Sequence, residues 1–303
     1  MELRQLRYFL KTAELLNFSE AARSLCVTQS TLSQQIKQLE NEFGVQLFDR
    51  NSHEVRLTES GQELLPFAAK TLSASEACSQ HMLDLKNIVA GTLKIGVTYS
   101  FSPMLSETLL TFIKQYPSIK LRIFYNPMEE LLLMLEKREI DFVLAFKPAR
   151  HHPHIESHVL FENHLSVIVA KNHPLAARDK ISLTELQDYD LVLPSRGLQA
   201  RNAFEKMIQG KELDFKTNIE LNEVNILLKV IREGRLATIL SEASIMGESG
   251  VAAVRLDVPS EENTMEGCIH VLKDSYIKNS AREFMRMLCD SDSIRLRAYE
   301  WID

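Results

Sequence analysis

Residues 17–58 contain two short helical patterns joined by a tight turn, and this feature limits the possible folds of the chain more than any other. Ser19 is a good N-cap for a first helix over Ala21–Leu25, and Thr28 caps a second helix only a few residues later. Gly44 is a suitable residue to end that second helix. The spacing therefore predicts a helix-turn-helix.

The second helix has an apolar face and a polar face. At about 100° per residue its apolar side chains form one stripe, which we expect to be buried: Leu32, Ile36, Leu39 and Phe43. The candidate DNA contacts lie on the polar side or at its edge: Gln29, Ser30, Thr31, Ser33, Gln34 and Lys37. Ser and Gln can bond base edges in a major groove, whereas Lys37 is better placed for a phosphate.

A polar face alone would favour a surface helix of an ordinary bundle, so the flanking segments decide between that interpretation and a DNA-reading helix. A first helix supplies a third packing face through Leu3, Leu6, Phe9, Leu10 and Ala13. After the second helix, residues 45–50 and 55–58 form two extended runs around the polar turn 51–54. The order of these signals favours a DNA-reading module that carries a β-hairpin "wing".

In this order and spacing, residues 1–65 resemble the winged helix-turn-helix of LysR-type transcriptional regulators. The resemblance is carried by Phe18-Ser19-x-Ala21-Ala22, by the helix Gln29 to Glu40, by Leu47-Phe48-x-Arg50, and by Leu57-Thr58-x-x-Gly61. The length of 303 residues also fits this family. The resemblance implies a regulator that binds double-stranded operator DNA as a homotetramer, a dimer of dimers, and it allows RNA polymerase as a further partner.

Three positions depart from the family pattern. Ser30 stands where members often have Pro, Gln34 where they often have Arg, and His53 where an Arg is frequent in the wing. We nevertheless expect Arg50 and His53 to contact DNA. Residues 1–65 carry seven Lys and Arg against nine Asp and Glu, which favours site-specific binding by a dimer over loose attachment to any nucleic acid.

Composition and chain length predict a cytoplasmic protein of two or three domains. We find neither a signal-peptide pattern nor an apolar run of about 18 residues, so we expect no membrane span. We also expect no cofactor and no metal site, since His151, His152 and His154 flank Pro153 in a segment that reads as a solvated loop. The four cysteines are interpreted as small buried side chains, with a redox pair as the less favoured alternative: Cys26, Cys78, Cys268 and Cys289.

Residues 59–89 predict one long helix with an apolar stripe that its own sequence neighbours do not cover. The stripe consists of Leu64, Leu65, Ala68, Ala69, Leu72, Ala77, Met82, Leu85 and Ile88. In the resembling family this segment is the linker helix that pairs two subunits; the alternative is a helix packed on its own effector domain. We therefore divide the chain into a DNA-binding domain (1–58), a linker and dimerisation helix (59–89) and an effector-binding domain (90–303).

The last segment alternates apolar strands with helices, which predicts an α/β fold with a parallel sheet covered on both faces. The strands are expected at 92–97, 120–125, 140–146, 165–170, 190–194, 218–221, 237–240 and 268–272. The pattern restarts near residue 163 and returns near 267, as in a two-lobed, periplasmic-binding-protein-like domain. The first lobe is then about 90–162 with 267–303, and the second is about 163–266.

Ligands of open α/β sheets bind beyond the carboxyl ends of the strands, which selects the candidate effector-binding residues. They are Thr98, Ser100, Ser102, Asn126, Phe146, Lys147, Ser195, Arg196, Asn222 and Asn225. Lys147 and Arg196 favour a small anionic effector. For each residue the alternative is a helix cap or a solvated side chain.

Two other classes of protein fit less well. An enzyme is not indicated, because neither a G-x-G-x-x-G nor a G-x-S-x-G motif occurs among the ten glycines. A solute-binding protein would account for residues 91–303 but not for the N-terminal module. The prediction is therefore a DNA-binding regulator whose operator binding or activation is modulated by a small effector bound between two lobes.

Overall fold

The computed structural model of the chain describes residues 1–51, 54–84 and 91–290. The chain forms two compact units that divide near residue 88. The first unit contains the elements α1 (Leu3–Leu15), α2 (Phe18–Ser24), α3 (Gln29–Phe43), β1 (Phe48–Asn51), β2 (Glu54–Leu57) and α4 (Glu59–Asp84).

The helix-turn-helix and the wing are confirmed, and the first helix boundary is corrected. Thr28 Oγ1 accepts a hydrogen bond from Thr31 N at 3.2 Å, and Gly44 ends α3 in the left-handed region with φ +70°. The N-cap of α2 is Asn17 rather than Ser19, because Asn17 Oδ1 accepts from the amides of Ser19 (2.9 Å) and Glu20 (3.1 Å). α2 therefore begins at Phe18, three residues earlier than expected.

The predicted stripes of α1 and α3 are buried or half-buried except for one exposed residue in each. Leu32, Ile36 and Leu39 of α3 are fully buried, whereas Phe43 at the last turn and Leu3 at the start of α1 are exposed. Helix ends project beyond the small core, so the periodic pattern overestimates their burial.

Side-chain contacts hold the wing to the helices. Glu40 Oε1 accepts from Leu47 N at 2.9 Å and from Phe48 N at 3.3 Å, which joins α3 to the entry of β1. Thr58 Oγ1 donates to Gln46 O at 2.6 Å and accepts from Gly61 N at 3.0 Å. A Cβ at Gly61 would lie 2.2 Å from Leu47 O, so only glycine permits this close approach. The matching residues of the family motif thus have a structural role.

The apolar stripe on α4 is partly covered by its own unit. Ala68 is buried in the core of the helix-turn-helix, and Leu64, Leu65 and Leu72 pack against that core. Phe67 and Met82 remain exposed. The first half of the stripe therefore contacts the DNA-binding module of the same chain. Neither the pairing of two subunits nor packing on the effector domain was expected to involve that contact. Leu85 and Ile88 lie outside the described residues.

The second unit is a mixed α/β fold. Its elements are β3 (Gly91–Val97), α5 (Ser102–Gln115), β4 (Ile119–Tyr125), α6 (Met128–Glu136), β5 (Phe142–Phe146), β6 (Ile155–Ala170), β7 (Lys180–Ile181), α7 (Leu183–Leu186), β8 (Leu191–Pro194), α8 (Gln199–Ile208), β9 (Thr217–Leu221), α9 (Val224–Glu233), β10 (Thr238–Ser241), β11 (Val251–Leu256), α10 (Ser260–Asn263), β12 (Thr264–Leu272) and α11 (Asn279–Cys289). Short 3₁₀ turns cover Tyr99–Phe101, Pro174–Ala177 and Glu242–Ile245.

The sheet is parallel only in part. β3 lies between β4 and β5 in parallel pairing, and β8 pairs with β9 in parallel. β12 is antiparallel to β5, and β6 is antiparallel to β12, β10 and β11. The all-parallel expectation was wrong because β6 passes from one lobe to the other as a strand, without a helical crossover, and pairs antiparallel with β12, β10 and β11.

β6 is the strand that connects the two lobes. Residues 155–164 pair with β12 in the first lobe, which also contains β3–β5, and residues 165–170 pair with β10 and β11 in the second. Separate apolar cores lie in each lobe. Polar residues such as Glu156 and His158 interrupt the apolar pattern in the first half of β6, which is missing from the predicted strands. β7 and β11 are missing from them as well.

Two of the four cysteines are buried and two are exposed. Cys268 and Cys289 are buried, and burial raises their pKa to about 12 and about 11, whereas Cys26 and Cys78 are exposed, contrary to the prediction. Cys26 adopts φ +54° in the turn between α2 and α3, which leaves its side chain at the surface. Among the described residues, we find neither a His, Cys, Asp and Glu cluster suited to a metal nor a helix long and apolar enough to cross a membrane.

Candidate nucleic-acid interface and effector cleft

The polar side of α3 is presented to solvent. Five of its candidate DNA contacts are exposed and Ser33 is half-buried; the exposed residues are Gln29, Ser30, Thr31, Gln34 and Lys37. The buried stripe on the opposite side attaches α3 to α1 and α2. A helix fixed along one side, with amides, hydroxyls and an ammonium on the other, is able to enter a major groove.

The first turn of α3 is ordered by hydroxyl contacts. Thr28 Oγ1 lies 2.9 Å from Ser30 Oγ and 2.8 Å from Thr31 Oγ1. These contacts hold the two hydroxyls at the N-terminal end of the helix, where helix-turn-helix proteins contact bases. Arg50 lies on β1 opposite Val55, and His53 lies outside the described residues.

A wide cleft lies between the two lobes of the second unit. It has a volume of about 1010 Å³ and lies at the carboxyl ends of β3, β4 and β9. Four predicted effector residues line it: Ser102, Asn126, Asn222 and Asn225. The strand-end rule therefore identified the location of the cleft.

A smaller pocket of about 50 Å³ adjoins the cleft and is lined by Thr98, Ser100 and Asn126, among others. Ser100 Oγ accepts hydrogen bonds from Ser241 Oγ at 3.1 Å and from Ser244 Oγ at 3.0 Å, so hydroxyls of both lobes meet here. A volume of this size holds about one or two water molecules. The inner pocket is thus closed to larger ligands in this conformation.

Gln199 provides a second contact between the lobes. Its Nε2 donates to Phe146 O at 2.9 Å, and its Oε1 accepts from Phe146 N at 3.1 Å. The backbone of β5 in the first lobe is thereby held by the first residue of α8 in the second. Nothing in the periodic pattern distinguishes Gln199, because its role depends on the pairing of two distant segments.

Tyr99 connects the lobes at the mouth of the cleft. Its hydroxyl donates to Asn225 Oδ1 at 3.0 Å. Burial, together with the Glu248 and Glu223 carboxylates, raises the pKa of Tyr99 to about 12. The hydroxyl therefore stays protonated at neutral pH and acts as a permanent donor.

Four predicted effector residues lie outside both cavities. Phe146 is buried, with its ring against Phe101 and Phe161. Lys147 is paired with Glu266 at 2.5 Å. The backbone amide of Ser195 donates to Leu221 O at 2.8 Å.

Arg196, the fourth, is the residue on which the anion expectation depended most. Its side chain is 78% exposed and is paired with Glu205 at 3.2 Å. Since Lys147 and Arg196 are both paired outside the cleft, neither provides the cation that was expected to hold an anionic effector.

Comparison with protein-family models gives two matches that follow the two units. Residues 3–62 match the bacterial regulatory helix-turn-helix protein, lysR family, and residues 86–292 match the LysR substrate binding domain. The chain belongs to the LysR family. It is a DNA-binding transcriptional regulator, and a small molecule bound by its effector-binding domain modulates its action at the operator.

Individual relatives agree with this assignment. The chain is 28% identical over 241 residues to the RuBisCO operon transcriptional regulator of Allochromatium vinosum, covering 80% of each chain. It is 30% identical over 258 residues to the HTH-type transcriptional activator CmpR of Synechocystis sp. (strain ATCC 27184 / PCC 6803 / Kazusa), covering 84% of each. These relatives are regulators, and the LysR-type chain is accordingly not an enzyme.

Solved structures show the same fold. A full-length OxyR variant from Pseudomonas aeruginosa superposes with a TM-score of 0.73 at 22% identity, covering 99% of this chain and 98% of that one. CbnR in complex with its target DNA superposes with a TM-score of 0.61 at 20% identity, covering 95% and 99%. The two-lobed effector domain and the winged helix-turn-helix of this LysR-type regulator are therefore common to full-length proteins of known structure.

Sequence reasoning missed several residues that line the cleft: Tyr99, Glu107, Tyr125, Glu223 and Glu248. Tyr99 and Tyr125 are detectable in principle, because each follows or ends a strand whose neighbour was selected. Glu107 lies on α5 in a helical pattern, and Glu248 follows a 3₁₀ turn that the sequence does not predict. Their location depends on how the lobes meet.

Proposed function

We propose that this LysR-type regulator reads its operator with the exposed polar side of α3. The base-contacting residues are Gln29, Ser30, Thr31, Ser33 and Gln34, Lys37 contacts a phosphate, and Arg50 and His53 of the wing contact the duplex beside it. The observation that carries this proposal is the exposure of that side on a helix whose other side is buried. A dimer would place two such helices on half-sites about one helical turn or a little more apart.

Replacing Gln34 with alanine is expected to weaken operator binding by about 1–3 kcal/mol and to relax the preference at one base pair of each half-site. The side-chain amide has both a donor and an acceptor for an adenine edge, and alanine has neither. Fluorescence anisotropy at fixed salt would compare an operator selected from genomic DNA with random DNA.

Gln62→Ala, on the exposed side of α4, is the matched control and should leave both affinities unchanged. An equal loss for Gln34→Ala on operator and on random DNA would mean that Gln34 contributes only non-specific contact.

We also propose that the protein is a homo-oligomer, a dimer of dimers, with one interface formed by the first unit. An open groove there is lined by Phe43, Val45, Leu47, Leu64 and Phe67. Phe67 is 66% exposed, and Phe43 and Val45 are also exposed. Contiguous apolar surface of this kind on a helix is best covered by a second copy. Leu72 is unsuited to test the interface, because it packs against the core of its own chain.

Phe67→Glu is expected to weaken dimerisation on the order of 10- to 100-fold, because it removes a largely exposed aromatic side chain from the groove and adds a charge beside Glu59 and Glu63. Light scattering over a dilution series measures the effect. The mass of the variant should begin to fall at a higher protein concentration than the mass of the wild type. Gln62→Glu adds the same charge elsewhere on α4 and should keep the wild-type mass. An unchanged mass for Phe67→Glu would place the interface elsewhere.

The effector is proposed to bind in the cleft between the lobes, where Ser102 and Asn126 face Asn222 and Asn225. The proposal includes the division into residues 1–58, 59–89 and 90–303, with Thr98 and Ser100 in the inner pocket. A ligand that touches both lobes changes their relative angle, and this change favours one oligomer shape over another on DNA. Because the operator is chromosomal, we expect the regulator to act in the cytoplasm and to contact RNA polymerase at the promoter.

A further inference from the structure

We propose that the side chain of Gln199 acts as a latch, which holds the two lobes of the effector domain together before an effector binds. The latch consists of the contacts that Gln199, on α8 of the second lobe, makes with Phe146 and Met128 of the first lobe. Its role in regulation rests on the proposed function, which places the effector between these lobes. Release of the latch gives a ligand access to the inner pocket, which Gln199 lines together with Thr98 and Ser100.

Three contacts engage the carboxamide of Gln199, and all three reach the first lobe. Its Oε1 accepts from Phe146 N at 3.1 Å, and its Nε2 donates to Phe146 O at 2.9 Å. The same Nε2 donates to Met128 Sδ at 2.8 Å. A primary amide has two N–H donors, so these contacts use both of them and an acceptor lone pair. The carboxamide is therefore held in one orientation by the other lobe.

No described strand covers the edge of β5 that Gln199 contacts. β3 pairs with β5 as far as Val97 and Leu144, and the ladder stops there. Leu144 O accepts from Thr98 N at 2.9 Å on this edge. Carbonyl groups two residues apart in a strand point to the same edge, so Phe146 O lies at the position that β3 has left. Gln199 thus replaces a strand at the end of β5, and the first-lobe sheet is completed by the second lobe.

The helix α8 anchors Gln199 in the second lobe. Phe204 and Met207 of this helix are buried in the core of that lobe. Arg201 Nη1 donates to Glu220 Oε1 at 3.1 Å, which joins the helix to β9. Gln199 is the first residue of α8, so its Cα moves with the second lobe. An increase in the distance between the lobes therefore breaks its contacts with β5 and α6.

The other hydrogen bonds between the lobes lose less when the lobes separate. Tyr99 and Asn225 lie at the mouth of the cleft, where water can replace their bond. Ser241 Oγ lies 2.7 Å from Ser244 Oγ, so these two hydroxyls keep a partner when the first lobe moves away. Phe146, by contrast, is 2% exposed, and loss of the latch leaves its buried backbone N–H without that acceptor, which is costly. The latch is therefore the contact that contributes most to the closed arrangement.

Gln199→Met tests the latch, because methionine has a similar length but has no N–H donor and only a weak acceptor. Hydrogen exchange of the full-length protein, followed by mass spectrometry of overlapping peptides, measures the opening of each segment. We expect the Phe146 amide to exchange on the order of 10- to 100-fold faster in the variant. Exchange should also rise by at least about threefold in the turns Tyr99–Phe101 and Glu242–Ile245, because the lobes separate where their other contacts lie.

Gln209→Met is the matched control, since it removes the same carboxamide from an exposed position directly after α8. Its exchange should equal that of the wild type in all these segments. Residues 167–169 of β6, in the core of the second lobe, provide an internal reference for folding. Their exchange should stay at the wild-type level in both variants.

Faster exchange confined to Phe146 would make Gln199 a cap of β5 alone and would overturn the latch. Unchanged exchange at Phe146 overturns it too, and so does a general increase that includes residues 167–169. Operator binding is measured in parallel on the same preparations. Failure of the wild type to bind any specific DNA refutes the proposed function, whereas the exchange pattern alone decides whether Gln199 holds the lobes together.

Discussion

Replacement of Phe48 by alanine is expected to unfold the DNA-binding module while the effector domain keeps its structure. Phe48 is 2% exposed, and its ring centroid lies 5.6 Å from that of Phe9 and 5.5 Å from that of Phe18. It therefore joins α1, α2 and the wing in one aromatic cluster. Truncation of a buried Phe to Ala costs about 3–5 kcal/mol, which is a large part of the stability of a small domain.

The separate cores explain why the effect should stay local. The helix-turn-helix core is made of residues from the first unit, and the three other cores are made of residues from the second. Chemical denaturation followed by circular dichroism should show an early transition in the variant, with a complete loss of operator binding. The later transition, which reports the unfolding of the effector domain, should match that of the wild type.

Leu3→Ala is the control, because it removes an exposed side chain from α1 in the same module. It should change stability by less than about 0.5 kcal/mol. If Phe48→Ala keeps wild-type stability and operator affinity, the aromatic cluster is not what joins the wing to the helices.

The helix-turn-helix could be predicted because its local signals agree with its packing. Thr28, the stripe of α3 and Gly44 indicate the same helix, and the structure has it over Gln29–Phe43. The start of α2 could not be predicted as well, since Asn17 and Ser19 are both good caps. Asn17 prevails because a helix that begins at Phe18 buries Phe18 against Phe48. This is a tertiary contact, and the capping propensities of neighbouring residues give no information about it.

The position of the inter-lobe cleft could be predicted from the sequence, whereas the ion-pair partners of the nearby cationic side chains could not. The ends of strands are visible in the sequence, so the strand-end rule selected Ser102 and Asn126 beside the cleft. Arg196 and Lys147 were chosen by the same rule, but their side chains are paired with Glu205 and Glu266. Which way a side chain points after a strand depends on partners distant in the sequence, and a hydrophobic pattern carries no information about them.

The passage of β6 between the lobes depends on a contact that is equally invisible in the pattern. Asn263 is 7% exposed and lies directly before β12. Its Oδ1 accepts from Leu165 N at 2.9 Å, and its Nδ2 donates to Leu165 O at 2.9 Å. Leu165 is the residue at which β6 changes partner from β12 to β10 and β11. The side-chain amide thus replaces a neighbouring strand where the ladder is interrupted.

Replacing Asn263 with alanine is expected to destabilise the effector domain by about 2–6 kcal/mol, since it leaves a buried N–H and a buried C=O of Leu165 without these partners, at about 1–3 kcal/mol each. Guanidinium denaturation should show the transition of the effector domain moving to lower denaturant concentration, with the transition of the DNA-binding module unchanged. Asn218→Ala, at an exposed position of β9, removes the same group and should have almost no effect. An Asn263→Ala protein within about 0.5 kcal/mol of the wild type would show that water replaces the amide at this crossing, and that the connection between the lobes is held by the strands alone.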